Sequence, residues 1–224
     1  MRKGEEKRQV LLNAAEKLFC ERGYEAASVQ DILDAEHISK GGFYHHFASK
    51  EEVLKALCAR RAVRAAEDAQ NALKAADTPM ARINALLYAF MPLRRGEADF
   101  VRLLLPGIDK PEGRAIAMTY QDALKETFLP LLEAEVAAAA AAGVVYPPVK
   151  GMEAVILHTV NHCWMEIAAA LASAPQGSRV ETTSLLHLLE KYRRAVELLL
   201  DAPYGSVEIL RVEEWDEVLG LLQR

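Results

Sequence analysis

Three groups of residues in this 224-residue chain have types and spacings that could do chemistry. One is His158-Thr-Val-Asn-His162, with Glu166 four residues further on. Positions four apart share a helix face, so two imidazoles and a carboxylate would stand in one row, which is metal-ligand spacing. The His-Glu-x-x-His order of a zinc protease is absent, because threonine follows His158. The same row would also serve as the lining of a ligand cavity, or as polar groups satisfied within an apolar helix. A metal-binding helical protein or an enzyme using this row is therefore the rival reading, and the main reading expects no metal and no cofactor. Catalysis would further need a convergent nucleophile, base and oxyanion site. The chain has no Ser-His-Asp order, glycine-rich phosphate loop or cysteine–histidine signature, so it is expected not to be an enzyme.

The second group is Ser39-Lys-Gly-Gly-Phe-Tyr-His-His-Phe47 with Lys50. Gly41 and Gly42 would fall in the first turn of a helix, where glycine lowers helix stability. Their gain would be close approach of a phosphate or a base edge to bare backbone. Lys40 and Lys50 offer cations, Tyr44 and His45 offer hydrogen bonds, and Phe43 and Phe47, four apart, share a face that is expected to be buried.

The third group is scattered. Tyr88, Met91, Phe100, Met118, Tyr120, His158, His162, Trp164 and Met165 are read as possible lining of a small-molecule pocket, since aromatic and methionine surfaces suit an apolar or aromatic effector. At helical spacing most such residues are simply core.

Composition bounds these readings. With 51% hydrophobic and 26% charged residues the chain can bury a real core, which excludes global disorder. A net charge of −5 speaks against a nucleic-acid partner, but the average hides an asymmetry. Residues 1–64 hold twelve Lys/Arg against ten Asp/Glu, a net of +2, and the remainder carries −7. Three widely spaced cysteines, Cys20, Cys58 and Cys163, suit free thiols in a reducing cytosol, so a cytoplasmic location is expected. No run of about eighteen uncharged apolar residues is seen, and no membrane span is expected.

The elements that must position these residues read as helices throughout, so the fold class is all-α. Leu11, Ala14, Ala15, Leu18 and Phe19 repeat at helical spacing, and Gly23 sits where a helix closes. Ser28-Val-Gln-Asp31 and Ser49-Lys-Glu-Glu52 are capping boxes. Between them, two short helices joined by Ala35-Glu-His-Ile38 fit a helix-turn-helix whose second helix would enter a major groove. A long helix follows to about residue 76. Thr78-Pro79 starts the next, which runs to about Met91. Further helices are expected over 97–105, 112–142, 151–173, 180–200 and 207–223. Pro130 should bend or split the 112–142 helix. Val155, Ile156, Val160, Trp164 and Ile167, with Leu185, Leu189, Tyr192, Val196 and Leu199, form two apolar stripes that could build a four-helix dimer interface.

Residues Leu11 to Leu57 closely resemble the N-terminal domain of the TetR family of bacterial transcription regulators. The matching stretches are Leu11 to Phe19, Glu21-Arg-Gly-Tyr24, Ser28 to Ile32, Ser39 to Phe47 and Ser49 to Leu54. The resemblance implies an all-helical homodimer, with a helix-turn-helix domain over 1–50 and a helical effector-binding and dimerisation domain over 51–224. It implies that Ser28, Gln30, Lys40, Gly41, Gly42, Tyr44, His45, His46 and Lys50 touch a double-stranded DNA operator, and that a small-molecule effector releases a repressor from it. Gly42 stands at a commonly polar position, which shifts base reading to Gln30, Lys40 and His45. His37 stands where the family usually has glycine in the turn, so a positive φ is expected there.

Overall fold

The structure is a computed structural model that describes residues 3–94, 97, 100–101, 103, 111–173 and 182–211. It is helical, with no strand among the described residues. The chain divides into two compact units, Met1–Arg61 and Ala62–Arg224.

In the first unit, α1 (Lys3–Arg22) buries Leu11, Leu12, Ala15 and Phe19 on one face. It ends at Gly23, whose φ of 85° lets its N–H donate to the Phe19 carbonyl at 2.9 Å. α2 (Val29–Glu36) packs on α1 and buries Ile32 and Leu33. α3 (Lys40–Tyr44) is a single short turn of helix. α4 spans Lys50–Ala75, and the unit boundary falls inside it. Its first turns bury Val53, Leu54, Leu57 and Cys58. Glu16 of α1 pairs with both Arg60 and Arg61 of α4, each at 2.6 Å, with all three side chains largely shielded from solvent.

In the second unit, α5 (Pro79–Phe90) starts as expected: the Thr78 hydroxyl accepts from the Ala81 N–H at 3.2 Å, and Pro79 fills the first helical position. α6 spans Pro111–Ala141, α7 Met152–Ala172 and α8 Thr182–Leu200. α5 packs on α6, α6 on α7, and α7 on α8. The core includes Phe90 edge-on to Phe128 at 5.6 Å and Phe100 edge-on to Tyr120 at 4.9 Å. Arg82 reaches from α5 to grip Glu135 of α6 with two hydrogen bonds of 2.7 Å.

The fold bears on three expectations. α6 is not split at Pro130: one helix runs through it, with Phe128 and Leu132 fully buried on either side of the missing hydrogen bond. The helix expected from 207 does not begin there, because residues 207–211 are non-helical. The Asn84 amide donates to the Ser206 carbonyl at 2.9 Å, and its oxygen accepts from the Glu208 N–H at 3.0 Å. Glu197 accepts from the Gly205 N–H at 2.7 Å. Side chains thus satisfy this backbone in place of helical bonds. Residues 212–223 lie outside the described residues, as does most of the helix expected over 97–105. Third, residues 152–171 are long and apolar enough, by length and composition, to cross a membrane. In the fold this stretch is α7, packed by α6 and α8, with Ile156, Val160, Trp164 and Ile167 fully buried.

Candidate nucleic-acid interface

The candidate site is built on α2, the turn after it, and α3. Ser28 caps α2: its Oγ accepts from the Asp31 N–H at 3.1 Å, while Asp31 Oδ2 accepts from the Ser28 N–H at 2.8 Å. These bonds from Ser28, with Arg22 at 3.1 Å as a lesser cause, hold the Asp31 carboxyl below the usual carboxylate range. Gln30 lies two residues along and donates to Asp34 at 2.7 Å. α2 ends on His37, with φ 53° and ψ 37°, as expected for a turn that commonly uses glycine. Its N–H donates to the Leu33 carbonyl, closing the helix.

Ser39 caps α3, its Oγ accepting from the Gly42 N–H at 3.3 Å. Phe43 and Phe47 are buried with ring centroids 6.0 Å apart, and they anchor the short helix from below. The outward side presents Lys40, Gly41, Tyr44 and His45, all exposed. Tyr44 stands edge-on to Phe43 at 5.3 Å and keeps 57% of its surface accessible.

The two glycines differ. A Cβ at Gly41 would meet nothing within 4 Å, so the helix leaves that backbone open. A Cβ at Gly42 would lie 3.0 Å from Ile38 Cγ2, so tight packing of the turn already accounts for the missing side chain.

Lys50 has a role that its sequence position does not suggest. Its Nζ donates to the carbonyls of Tyr24 at 2.9 Å and Ala27 at 3.2 Å, and so ties the α1–α2 loop to the start of α4. The box at the start of α4 is also modified. The Ser49 hydroxyl accepts from the Glu52 N–H at 3.2 Å, but the Glu52 carboxylate reaches back to the Ala48 N–H rather than to that of Ser49.

A concave surface of about 850 Å³ runs along this face. Gly41, Gly42, His45 and His46 line it, together with Lys7 of α1 and His37. Sequence reasoning assigned contacts to neither of these two. The signal for His37 was its departure from glycine, which was read for conformation alone.

The residues expected to line an effector pocket lie in different environments. Met91, Phe100, Tyr120 and Trp164 are buried in the core, and the Trp164 indole donates to Asn161 at 2.8 Å. Met165 is half-buried, while Met118, His158 and His162 are exposed. Tyr88 alone of the set borders the alanine-walled cleft of about 440 Å³ between the end of α4 and α5, beneath Arg211, whose guanidinium lies 4.4 Å above its ring.

The histidine row forms but does not converge as a metal site. His158 and His162 stack at 6.3 Å, and His162 Nε2 lies 3.5 Å from Glu166. The Glu166 oxygens are taken by the Tyr192 hydroxyl at 2.7 Å and Lys191 at 3.0 Å. These partners, the Tyr192 hydrogen bond first, hold the Glu166 carboxyl below its ordinary range. Among the described residues no group of three His, Cys, Asp or Glu could hold a metal ion, so the rival metal or enzyme reading is not supported.

Comparison with known proteins agrees with this geometry. Residues 11–57 match the family model for bacterial regulatory proteins of the tetR family. The chain is 49% identical over 51 residues to the transcriptional repressor KstR2 of Mycobacterium tuberculosis, covering 23% of this chain and 26% of that one. It is 32% identical over 100 residues to the transcriptional activator FasR of Mycolicibacterium smegmatis, covering 45% and 46%. The chain therefore spans less than half the length of these curated relatives. Over its fold it is similar to the crystal structure of a TetR-family transcriptional regulator from Pectobacterium atrosepticum, with a TM-score of 0.60, 23% identity and coverage of 91% of this chain and 99% of that one. Residues 11–57 thus match the tetR family model, and they sit within an all-helical fold similar to that of the solved TetR-family regulator.

Proposed function

We propose that this protein is a cytoplasmic, homodimeric repressor that binds a near-palindromic DNA operator and leaves it when a small molecule binds the second unit. The observation that carries the DNA-binding part is the outward side of α3. Lys40, Gly41, Tyr44 and His45 are exposed there, while Phe43 and Phe47 are buried beneath them. Such a helix can enter a major groove, with Lys40 and Tyr44 on phosphates and Gln30 and His45 at base edges.

Dimerisation is supported by α7 and α8. They pack on each other yet leave Val155 at 43% and Leu198 at 62% exposure, apolar surface that a second copy would cover. Release by a ligand requires that the ligand bind one conformation better than the other, and α4, which begins in the first unit and ends in the second, is the element that could report the difference.

A gel shift with DNA from upstream of the protein's own gene tests both halves. Wild type should retard that DNA, and Lys40→Ala with Tyr44→Ala should abolish the shift. Adding apolar, aromatic and cationic compounds in turn should release the DNA with at least one. If no compound alters affinity, the induction half fails and the DNA-binding half stands.

A further inference from the structure

The cleft between the end of α4 and α5 is walled by alanines from both helices, among them Ala72 and Ala75 of α4 and Ala81 and Ala85 of α5. Alanines packed on one another would close this space, yet about 440 Å³ stays open. That volume falls in the range of small-molecule sites, from about 300 to about 1,000 Å³. Methyl walls suit an apolar body and supply no charge. The polar groups come from α5 and from residues 206–211, which Asn84 ties to that helix through the Ser206 carbonyl and the Glu208 N–H.

Those groups favour a positive charge. The Glu208 carboxylate borders the cleft, is exposed, and makes no hydrogen bond or ion pair among the described residues. The Tyr88 ring already carries a cation, the Arg211 guanidinium at 4.4 Å, so its π face is one that a cation reaches. The basic residues on either side of the α4–α5 turn are engaged elsewhere, Lys74 by Asn71 at 2.9 Å and Arg82 by Glu135 at 2.7 Å. Residues 65–224 hold fifteen Lys/Arg against twenty-two Asp/Glu, a net of −7, and such a field concentrates cations further.

We infer that this cleft binds an organic cation with a compact apolar or aromatic body, its charge lying between the Glu208 carboxylate and the Tyr88 face in place of Arg211. This rests on the effector reading and gives the small molecule a site and a sign of charge. The site lies against the last turns of α4, the helix that begins in the first unit.

The probes are phenyltrimethylammonium, its neutral isostere tert-butylbenzene and the anion benzenesulfonate, each titrated calorimetrically into the full-length protein. DNA affinity is followed separately by anisotropy on a fluorescent duplex that the wild-type protein selects from a random library. The ammonium should bind at least about tenfold more tightly than either control, and it should weaken DNA binding. Glu208→Gln keeps the shape and removes the charge, and should weaken ammonium binding by about fivefold. Tyr88→Phe should keep that binding and Tyr88→Leu should lose it. Ala85→Leu fills the cleft and should abolish it. Glu208 is exposed, so its variant folds whatever Ala85→Leu does. Equal binding of the three probes, or unchanged ammonium binding in either Glu208→Gln or Ala85→Leu, overturns the proposal. If the ammonium binds as described and DNA affinity stays the same, the cation site stands and the effector reading fails. If another compound releases the DNA and the ammonium does not bind, the effector reading stands and this proposal fails.

Discussion

The ammonium of Lys50 donates to the backbone carbonyl of Tyr24 at 2.9 Å and lies 4.2 Å above the ring of the same residue. One cation thus satisfies a carbonyl and uses a π face at once. Lys50→Met keeps the stem and removes both interactions. It should destabilise the protein by about 1–2 kcal/mol, read as a lower urea midpoint by circular dichroism. An unchanged midpoint would show that the α1–α2 loop holds without it.

Beneath that cation the Tyr24 hydroxyl is buried and has no hydrogen-bond partner. Burial first, then the Glu51 and Glu25 charges, push its ionisation up to about 12. The folded value lies above the ordinary tyrosine value, so the stability linked to this group is fully present below about pH 10 and is lost as pH rises toward 12. Tyr24→Phe should leave stability near neutral pH equal or higher by up to about 1 kcal/mol, and should flatten its alkaline decline. A steeper decline in the variant would contradict this.

Burial likewise pushes the Cys58 and Cys163 thiols up to about 12. Thiolate is the reactive form, so both should resist a thiol-specific reagent near pH 8 until the chain unfolds, while half-buried Cys20 reacts first. Fast labelling of all three in the folded protein would contradict this.

Gly41 and Gly42 should respond oppositely to alanine. Gly41→Ala enters open space within α3 and should raise stability by about 0.5–1 kcal/mol while weakening DNA binding. Gly42→Ala must push Ile38 aside and should show no such gain. Thermal melts of the two variants, with anisotropy on the same duplex, separate helix propensity from backbone approach to DNA.

Glu197 is fully buried, yet it serves Arg193, Arg194 and the Gly205 N–H. Removing one partner of a buried ion pair strands the rest, so Glu197→Ala should cost about 3 kcal/mol. Hydrogen exchange should rise across 202–211 in particular.

Local features of this fold were legible in the sequence. The reciprocal Ser28–Asp31 cap, the Thr78-Pro79 start of α5 and the left-handed His37 each follow from a few neighbouring residues. What was not legible depends on distant partners. Lys50 meets carbonyls far back along the chain, which its spacing did not indicate. Residues 207–211 continue an apolar pattern that suits a helix, but Asn84 and Glu197 accept from the backbone N–H groups of Glu208 and Val207. The effector-pocket residues share a composition, and composition alone does not distinguish a core side chain such as Trp164 from a surface one such as Met118.

α3 carries one further consequence. Phe43 and Phe47 hold it from the inside and Ser39 starts it, whereas Lys40, Tyr44 and His45 face outward and stay exposed. The outward positions therefore form an exchangeable cassette. Their side chains can be traded for other sets of hydrogen-bond donors and acceptors while the scaffold keeps the same folding instructions.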